Sequence, residues 1–341
     1  MGRFLALGIV AIGLATCAEG PRATSDPAPT VRPEGSVVPA PSASGAPRSP
    51  SDGPEMAWEV LDPAPFERLE MATAAHDGEI WLVGGLNADG SATDETWRFE
   101  PSTSAWSEGP RLDRPIHHAA VVSTGDDLLV IGGYEGNSFD GGRTTVLVLN
   151  AAGDGWDEGT PLPQPRAAGG AAWDGSRIVY GGGVGAGIVS DVLALTDGEW
   201  VQLSAMPAPR EHLSATSDGE GRVWLLGGRQ GSLDTNTGVI DLVEGDAVTR
   251  IGELPTPRGG AAAFYLAEVG ACLAGGEQPD RALDSVECIG SDGSVAILPP
   301  LAVAVHGHGA AVLDGVAYII LGGPEPLLTV SNTIQRLGSA P

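Results

Sequence analysis

The sequence predicts an all-β protein assembled from six repeats, each holding four strands. Three observations carry this expectation. Gly-Gly pairs recur at 84–85, 132–133, 182–183, 227–228, 275–276 and 322–323, at spacings of 48, 50, 45, 48 and 47 residues. Each pair follows a short apolar run, at 80–83, 128–131, 178–180, 223–226, 271–274 and 318–321; such runs, ended by Gly, read as strands buried on both faces. Finally, Leu/Met-Pro-x-Pro-Arg appears at 162–166, 206–210 and 254–258, a turn that opens the next unit. A period of this size is the mark of a repeat architecture.

Before the repeats come Arg3, an apolar run over 4–16 and then Cys17. A positive start, a short apolar core and small residues at its end predict a secretory signal over residues 1–16, too short to span a bilayer stably. Leu14-Ala15-Thr16-Cys17 resembles a bacterial lipobox, which would make Cys17 the lipidated N-terminus of an exported protein on the outer face of the cell membrane. Thr16 departs from the small residue usual at that position, and cleavage after Ala18 with plain secretion is the alternative. Residues 18–55 consist largely of Pro, Ala, Ser, Thr and Gly. They hold too little apolar surface to offset ordering entropy, so a disordered tether is expected.

Within each repeat, the strand before the Gly pair is followed by a polar loop and a further strand, at 96–99, 146–149, 192–195, 239–242, 286–289 and 333–337. A turn then leads to a strand with Trp106, Trp156 or Trp200, or an aliphatic equivalent near Ile251 and Ile297. With the strand that follows the Pro-rich turn, each unit counts four.

An Arg-opened strand, an apolar strand running into Gly-Gly and a Trp strand followed by Pro together resemble the kelch repeat, over residues 57–338. The resemblance implies a six-bladed β-propeller of four-stranded antiparallel blades. The last repeat ends after its third strand, while 57–61 (Ala-Trp-Glu-Val-Leu) reads as a fourth. The N-terminal strand is therefore expected to complete blade six, closing the ring and covering an open edge. The Gly pairs are read as structural, at places where a side chain would meet the neighbouring sheet. A phosphate cradle at 181–183 is not expected, because the chain contains no Lys.

Composition narrows the function. The eighteen basic residues are all Arg, against 44 acidic ones, for a formal charge of −26. Phosphate neutralisation is missing, which excludes general nucleic-acid binding. The same sign repels anionic membranes, leaving a lipid anchor as the membrane contact.

Cys272 and Cys288 fall on adjacent strands of blade five, where a disulfide can form in an oxidising compartment; two buried free thiols are the alternative. No Cys-x-x-Cys or His-x-x-x-His cluster accompanies them, so neither a metal site nor a cofactor is expected. The copper-radical chemistry of galactose-oxidase-type kelch propellers is not expected either, with Tyr only at 134, 180, 265 and 318. The acidic loops at 87–91 and 135–142 read as solvated turns.

In a propeller the first strand of every blade lines the channel. Arg114, Arg166, Arg210 and Arg258 would open these strands, with Arg68 as a shifted fifth, and their guanidiniums would form an anion site at one mouth. The alternative is that each pairs with an acid of its own blade. His117 and His118 follow Arg114, His212 follows Arg210, and His306 and His308 stand where blade six lacks its Arg. The expected ligand-binding set is Arg114, His117, Arg166, Arg210, His212, Arg258 and His306, with Glu211 and His212 as candidate acid-base groups. The sequence thus predicts a monomeric, non-catalytic binding module for a protein or an acidic glycan or peptide. The alternative is an enzyme on an acidic sugar, by similarity to N-acetylneuraminate epimerase, an exported six-bladed kelch enzyme; a structural scaffold is the third reading.

Overall fold

The computed structural model describes residues 56–339. The expected signal at 1–16, the lipidation site Cys17 and the tether at 18–55 lie outside the described residues. Six four-stranded antiparallel sheets follow one another along the chain. Blade 1 runs Ala72–His76, Glu79–Val83, Thr96–Glu100 and Ala105–Glu108. Blade 4, with the longest strands, runs Ser214–Ser217, Arg222–Leu226, Val239–Glu244 and Ala247–Glu253. The first strands of neighbouring blades touch in a closed circle, which makes a ring around a central channel.

Residue choice explains the layering. First strands carry small residues, as in Gly-Ala-Ala-Trp at Gly170–Trp173, since six of them must crowd round the axis. Second strands such as Leu128–Ile131 and Ile178–Gly181 are buried throughout, because both faces meet a neighbouring blade. The core is correspondingly divided into six apolar clusters, one at each blade interface. Fourth-strand tryptophans link blades as well. Trp156 Nε1 donates to the Pro110 carbonyl at 2.8 Å, and Trp200 Nε1 to the Thr160 carbonyl at 2.9 Å.

The ring closes through the N-terminal strand. Met56–Val60 pairs antiparallel with Ile334–Ser339, outermost in blade 6 beyond Gly309–Leu313 and Val316–Ile320, with Trp58 opposite Leu337. Trp58 is buried against Phe264 of blade 5, ring centroids 6.2 Å apart. In blade 5, Cys272 and Cys288 are register partners on adjacent strands and are joined by a disulfide.

The Gly pairs end the second strands where the next blade begins. At Gly132, φ is +65°, and a Cβ would stand 2.4 Å from the Arg166 carbonyl oxygen; the next amide, Gly133 N, donates to that oxygen at 2.9 Å. Only Gly fits such a contact without strain. Blade 6 corrects the sequence phase by one residue. Leu321, at φ 61°, and Gly322 take the paired positions, and it is Gly322 N that donates to the carbonyl opening blade 1, at Arg68.

The carbonyls that receive these bonds define the equivalent position in every blade: Arg68, Ile116, Arg166, Arg210, Arg258 and Val305. Arg114 is therefore not the repeat residue of blade 2. Ile116 is, and Arg114 lies two residues earlier on the surface.

Candidate functional site

Two residues past that position, every blade places a residue in the left-handed region: Glu70, His118, Ala168, His212, Gly260 and Gly307, with φ between 50° and 61°. Each of their amides donates to the carbonyl of its counterpart in the preceding blade, from His118 to Glu70 at 3.1 Å round to Glu70 on Gly307 at 2.7 Å. Six backbone hydrogen bonds thus form a hoop around the axis. Three of the six positions carry ionisable side chains, and those of Glu70, His118 and His212 converge. His118 Nε2 lies 3.1 Å from His212 Nε2 and 3.4 Å from Glu70 Oε2. The three residues line both a cavity of about 160 Å³ at one end of the channel and a hollow of about 190 Å³ on the mouth side.

The mouth is asymmetric because the residue after each Gly pair varies: Leu86, Tyr134, Val184, Arg229, Glu277 and Gly323. Arg229 bridges two blades, with Nε 3.0 Å from Glu211 and NH1 2.8 Å from Glu277. Glu211 also contacts His212 Nδ1. Glu277 lies 3.4 Å from His306 Nε2 and accepts the Leu327 amide at 3.1 Å. The His306 ring faces the Gly323 carbonyl at 3.0 Å and the Leu327 carbonyl at 2.8 Å, so this network holds the loop around Leu327. His117 reaches the Ser138 carbonyl at 3.0 Å and its ring neighbours Phe139. Above this polar floor stand Phe139, Leu327 and Leu328, which are 51%, 69% and 59% exposed.

Burial sets the protonation of the floor. Desolvation pulls His117 down to about 4 and His118 to about 3, and it takes His212 well below the ordinary histidine value. It raises the Glu70 carboxyl, with His306 opposing. Neutral imidazoles at neutral pH follow.

The expected arginine mouth does not form. Arg166 is buried with NH2 2.8 Å from Asp191, Arg210 with NH2 2.6 Å from Asp241, and Arg258 with NH2 2.8 Å from Glu287. Each partner sits in the third-strand region of the same blade, and Arg68 repeats the arrangement with Glu95 at 2.8 Å. A guanidinium that reaches inward between strands can also satisfy strand-end carbonyls, as Arg258 does at Gly275 and Ser285. Arg114 is exposed and pairs with Glu135 at 2.9 Å. Of the expected ligand-binding set, the structure brings His117, His212 and His306 to the mouth, together with the candidate acid-base group Glu211. Glu70, Arg229 and Glu277 were not singled out from the sequence. The last two occupy one repeat position, directly after a Gly pair, which is the signal that could have found them.

Comparison with known proteins places the sequence among repeat proteins. Residues 67–112 match the Kelch motif. The chain is 26% identical over 311 residues to the Kelch-like protein terF of Aspergillus terreus, covering 81% of this chain and 65% of that protein. It is 26% identical over 203 residues to Beta-scruin of Limulus polyphemus, covering 54% and 22%. Kelch-like protein 35 of Mus musculus is 28% identical over 129 residues, covering 37% and 21%. The chain thus spans less than two thirds of the length of each of these relatives.

Proposed function

Since the chain belongs to the kelch-repeat family of six-bladed β-propellers, we propose that it is a protein-binding module whose channel mouth receives a partner. One observation carries this reading. Phe139, Leu327 and Leu328, three of the eight exposed large apolar side chains among the described residues, rim one concave mouth with a rigid polar floor. Exposed apolar side chains around a pocket mark contact sites, and such anchors dominate binding energy. A second hollow of about 430 Å³, lined by Val184, Ile188 and Leu233, adjoins the first through His212 and Arg229.

The floor also sets the partner's charge. It presents Glu70, Glu211 and Glu277 against one guanidinium, Arg229. Because Arg166, Arg210 and Arg258 are engaged inside their blades, support for an acidic glycan or peptide is lost. A neutral or basic apolar segment is the better complement.

Selection of peptides from a displayed random library on the full chain tests this. Enriched sequences should be apolar with Lys or Arg. The pair Phe139→Ser and Leu327→Ser should weaken them by more than about 1 kcal/mol, roughly fivefold in Kd. Ile297→Ser, at an exposed position on the outer strand of blade 5, should leave binding and melting unchanged. Peptides that bind the double variant as well as the parent would refute the mouth as the contact surface.

We further propose export with lipid attachment at Cys17. The apolar run at 4–16 that ends at a lone Cys supports it. In a bacterial host, radiolabelled fatty acid should enter the parent chain and not Cys17→Ser; equal labelling would refute attachment there.

A further inference from the structure

The hydrogen bonds of His117 assign the ring nitrogen of His118 that carries its proton. His117 Nε2 faces the Ser138 carbonyl at 3.0 Å, so that nitrogen holds a hydrogen and Nδ1 is left as a lone pair. His117 Nδ1 lies 2.6 Å from His118 Nδ1, which must therefore be the donor. The remaining nitrogen of His118, Nε2, is then a bare lone pair. His212 Nδ1 abuts a carboxylate oxygen of Glu211 without a hydrogen bond to it, so His212 Nε2 is open either to donate to His118 or to stand beside it as a second lone pair.

With His212 Nε2 in its unprotonated form, three lone-pair donors face one another. The two bare nitrogens are 3.1 Å apart, and Glu70 Oε2 is 3.4 Å from one of them. Arg229, the nearest cation, is turned to Glu211 and Glu277. A metal ion placed among them would meet two imidazole nitrogens and a carboxylate oxygen at once.

We propose that Glu70, His118 and His212 bind a divalent first-row transition metal, with zinc as the reference ion. Three donor atoms within 4.8 Å of one another meet the first requirement. Zinc bonds to N and O of about 2.0–2.1 Å separate neighbouring ligands of a tetrahedron by about 3.3 Å, and the measured separations are 3.1 and 3.4 Å. Two imidazoles and a carboxylate suit zinc and its neighbours better than calcium or magnesium, which prefer oxygen alone. Both histidines also have the outer partner that orients a ligand: Glu211 on His212 and His117 on His118.

The backbone explains how the three meet. The three ligands occupy equivalent hoop positions in blades 1, 2 and 4, where φ lies between 50° and 54°. Blades 5 and 6 use Gly at that position, the residue such a conformation favours. Blade 3 holds Ala168 there at φ 53°, so the conformation belongs to the hoop as a whole, and what blades 1, 2 and 4 add is a side chain that can ligate. With three protein ligands, a fourth position remains for water or for a group entering from the mouth. The inference does not depend on the partner proposed above. Sequence spacing hid the site, since its members are 48 and 94 residues apart and no short motif links them.

The test is metal titration of the untagged full chain after treatment with a chelator. Co2+ should bind at one equivalent with the strong visible absorption of a four-coordinate ion, and Zn2+ should displace it. Mg2+ and Ca2+ should not. His118→Gly, His212→Gly and Glu70→Gln should each weaken binding at least tenfold. The two glycine variants should still fold, because Gly260 and Gly307 occupy the same backbone conformation, and unchanged or raised melting of the metal-free variants checks this. His76→Gln, at a buried histidine bonded to Ser123 in the inner strand of blade 1, should bind as the parent does. Absence of saturable binding would overturn the proposal in favour of a hydrogen bond between the two neutral imidazoles. Binding that survives both glycine variants would overturn it as well.

Discussion

Arg210 sits buried with NH2 2.6 Å from Asp241, whose other oxygen accepts from Arg250 at 3.2 Å. Removing the guanidinium leaves the buried carboxylate with Arg250 alone and takes a donor from the Gly227 and Val239 carbonyls, so Arg210→Ala should lower stability by about 3 kcal/mol in urea unfolding. Removing Asp241 as well, as Asp241→Ala, should cost less than the two single changes added together. A change within about 0.5 kcal/mol for Arg210→Ala would contradict the buried pair. His308 gives the pH counterpart. Burial pulls it down to about 3, so the native state holds it neutral while the unfolded chain protonates near 6.5. Its contribution is complete above about pH 6.5 and is lost as pH falls towards 3. Between pH 7 and pH 5 that loss is about 2 kcal/mol from this one residue. His117, His118 and His212 act with the same sign, and Glu70, raised by burial, acts against them. Unfolding curves at the two pH values should show parent stability falling more than that of His308→Gln. Equal falls would remove His308 from the account.

The strand Met56–Val60 is the element that turns an open arc into a ring. Trp58→Ala deletes an indole packed between blades 5 and 6 and should cost about 3–5 kcal/mol by denaturant unfolding. Deletion through residue 60 should expose the edge of Ile334–Ser339 and give association by gel filtration; a monomer of parental stability would show that closure does not matter. The second strands were legible in the sequence because each apolar run ends at a residue that adopts positive φ. Phase was less legible where that marker changes. Leu321 tolerates the position usually held by Gly, and the turn into blade 2 lacks Pro-x-Pro-Arg, which drew attention to Arg114 instead of Ile116. The mouth was legible only in part. His117, His212 and His306 stand next to repeat markers, whereas Glu70, Arg229 and Glu277 gain their meaning when blades remote in sequence meet across the axis.

At the scale of the whole molecule, every arginine among the described residues takes part in an ion pair, including exposed ones such as Arg281 with Asp280 at 3.9 Å. With 44 acidic residues against 18 basic ones, the excess carboxylates repel one another. Screening that repulsion outweighs weakening exposed pairs, each worth about 0–1 kcal/mol. The melting temperature should therefore rise from low salt to about 0.5 M NaCl, where the Debye length is only a few ångströms. A falling melting temperature would place the favourable pairs ahead of the self-repulsion.

The hoop of six amide-to-carbonyl bonds has a mechanical meaning for this charged ring. It works as the inextensible band of a barrel: no blade can tilt outward at the mouth unless a joint of the band opens. The diameter there is set by main chain, and evolution of the side chains can change what the aperture recognises without changing its bore. Recognition and calibre are thus inherited separately, and the three blades that place Glu70, His118 and His212 on the band can be altered one at a time inside a gauge that stays fixed.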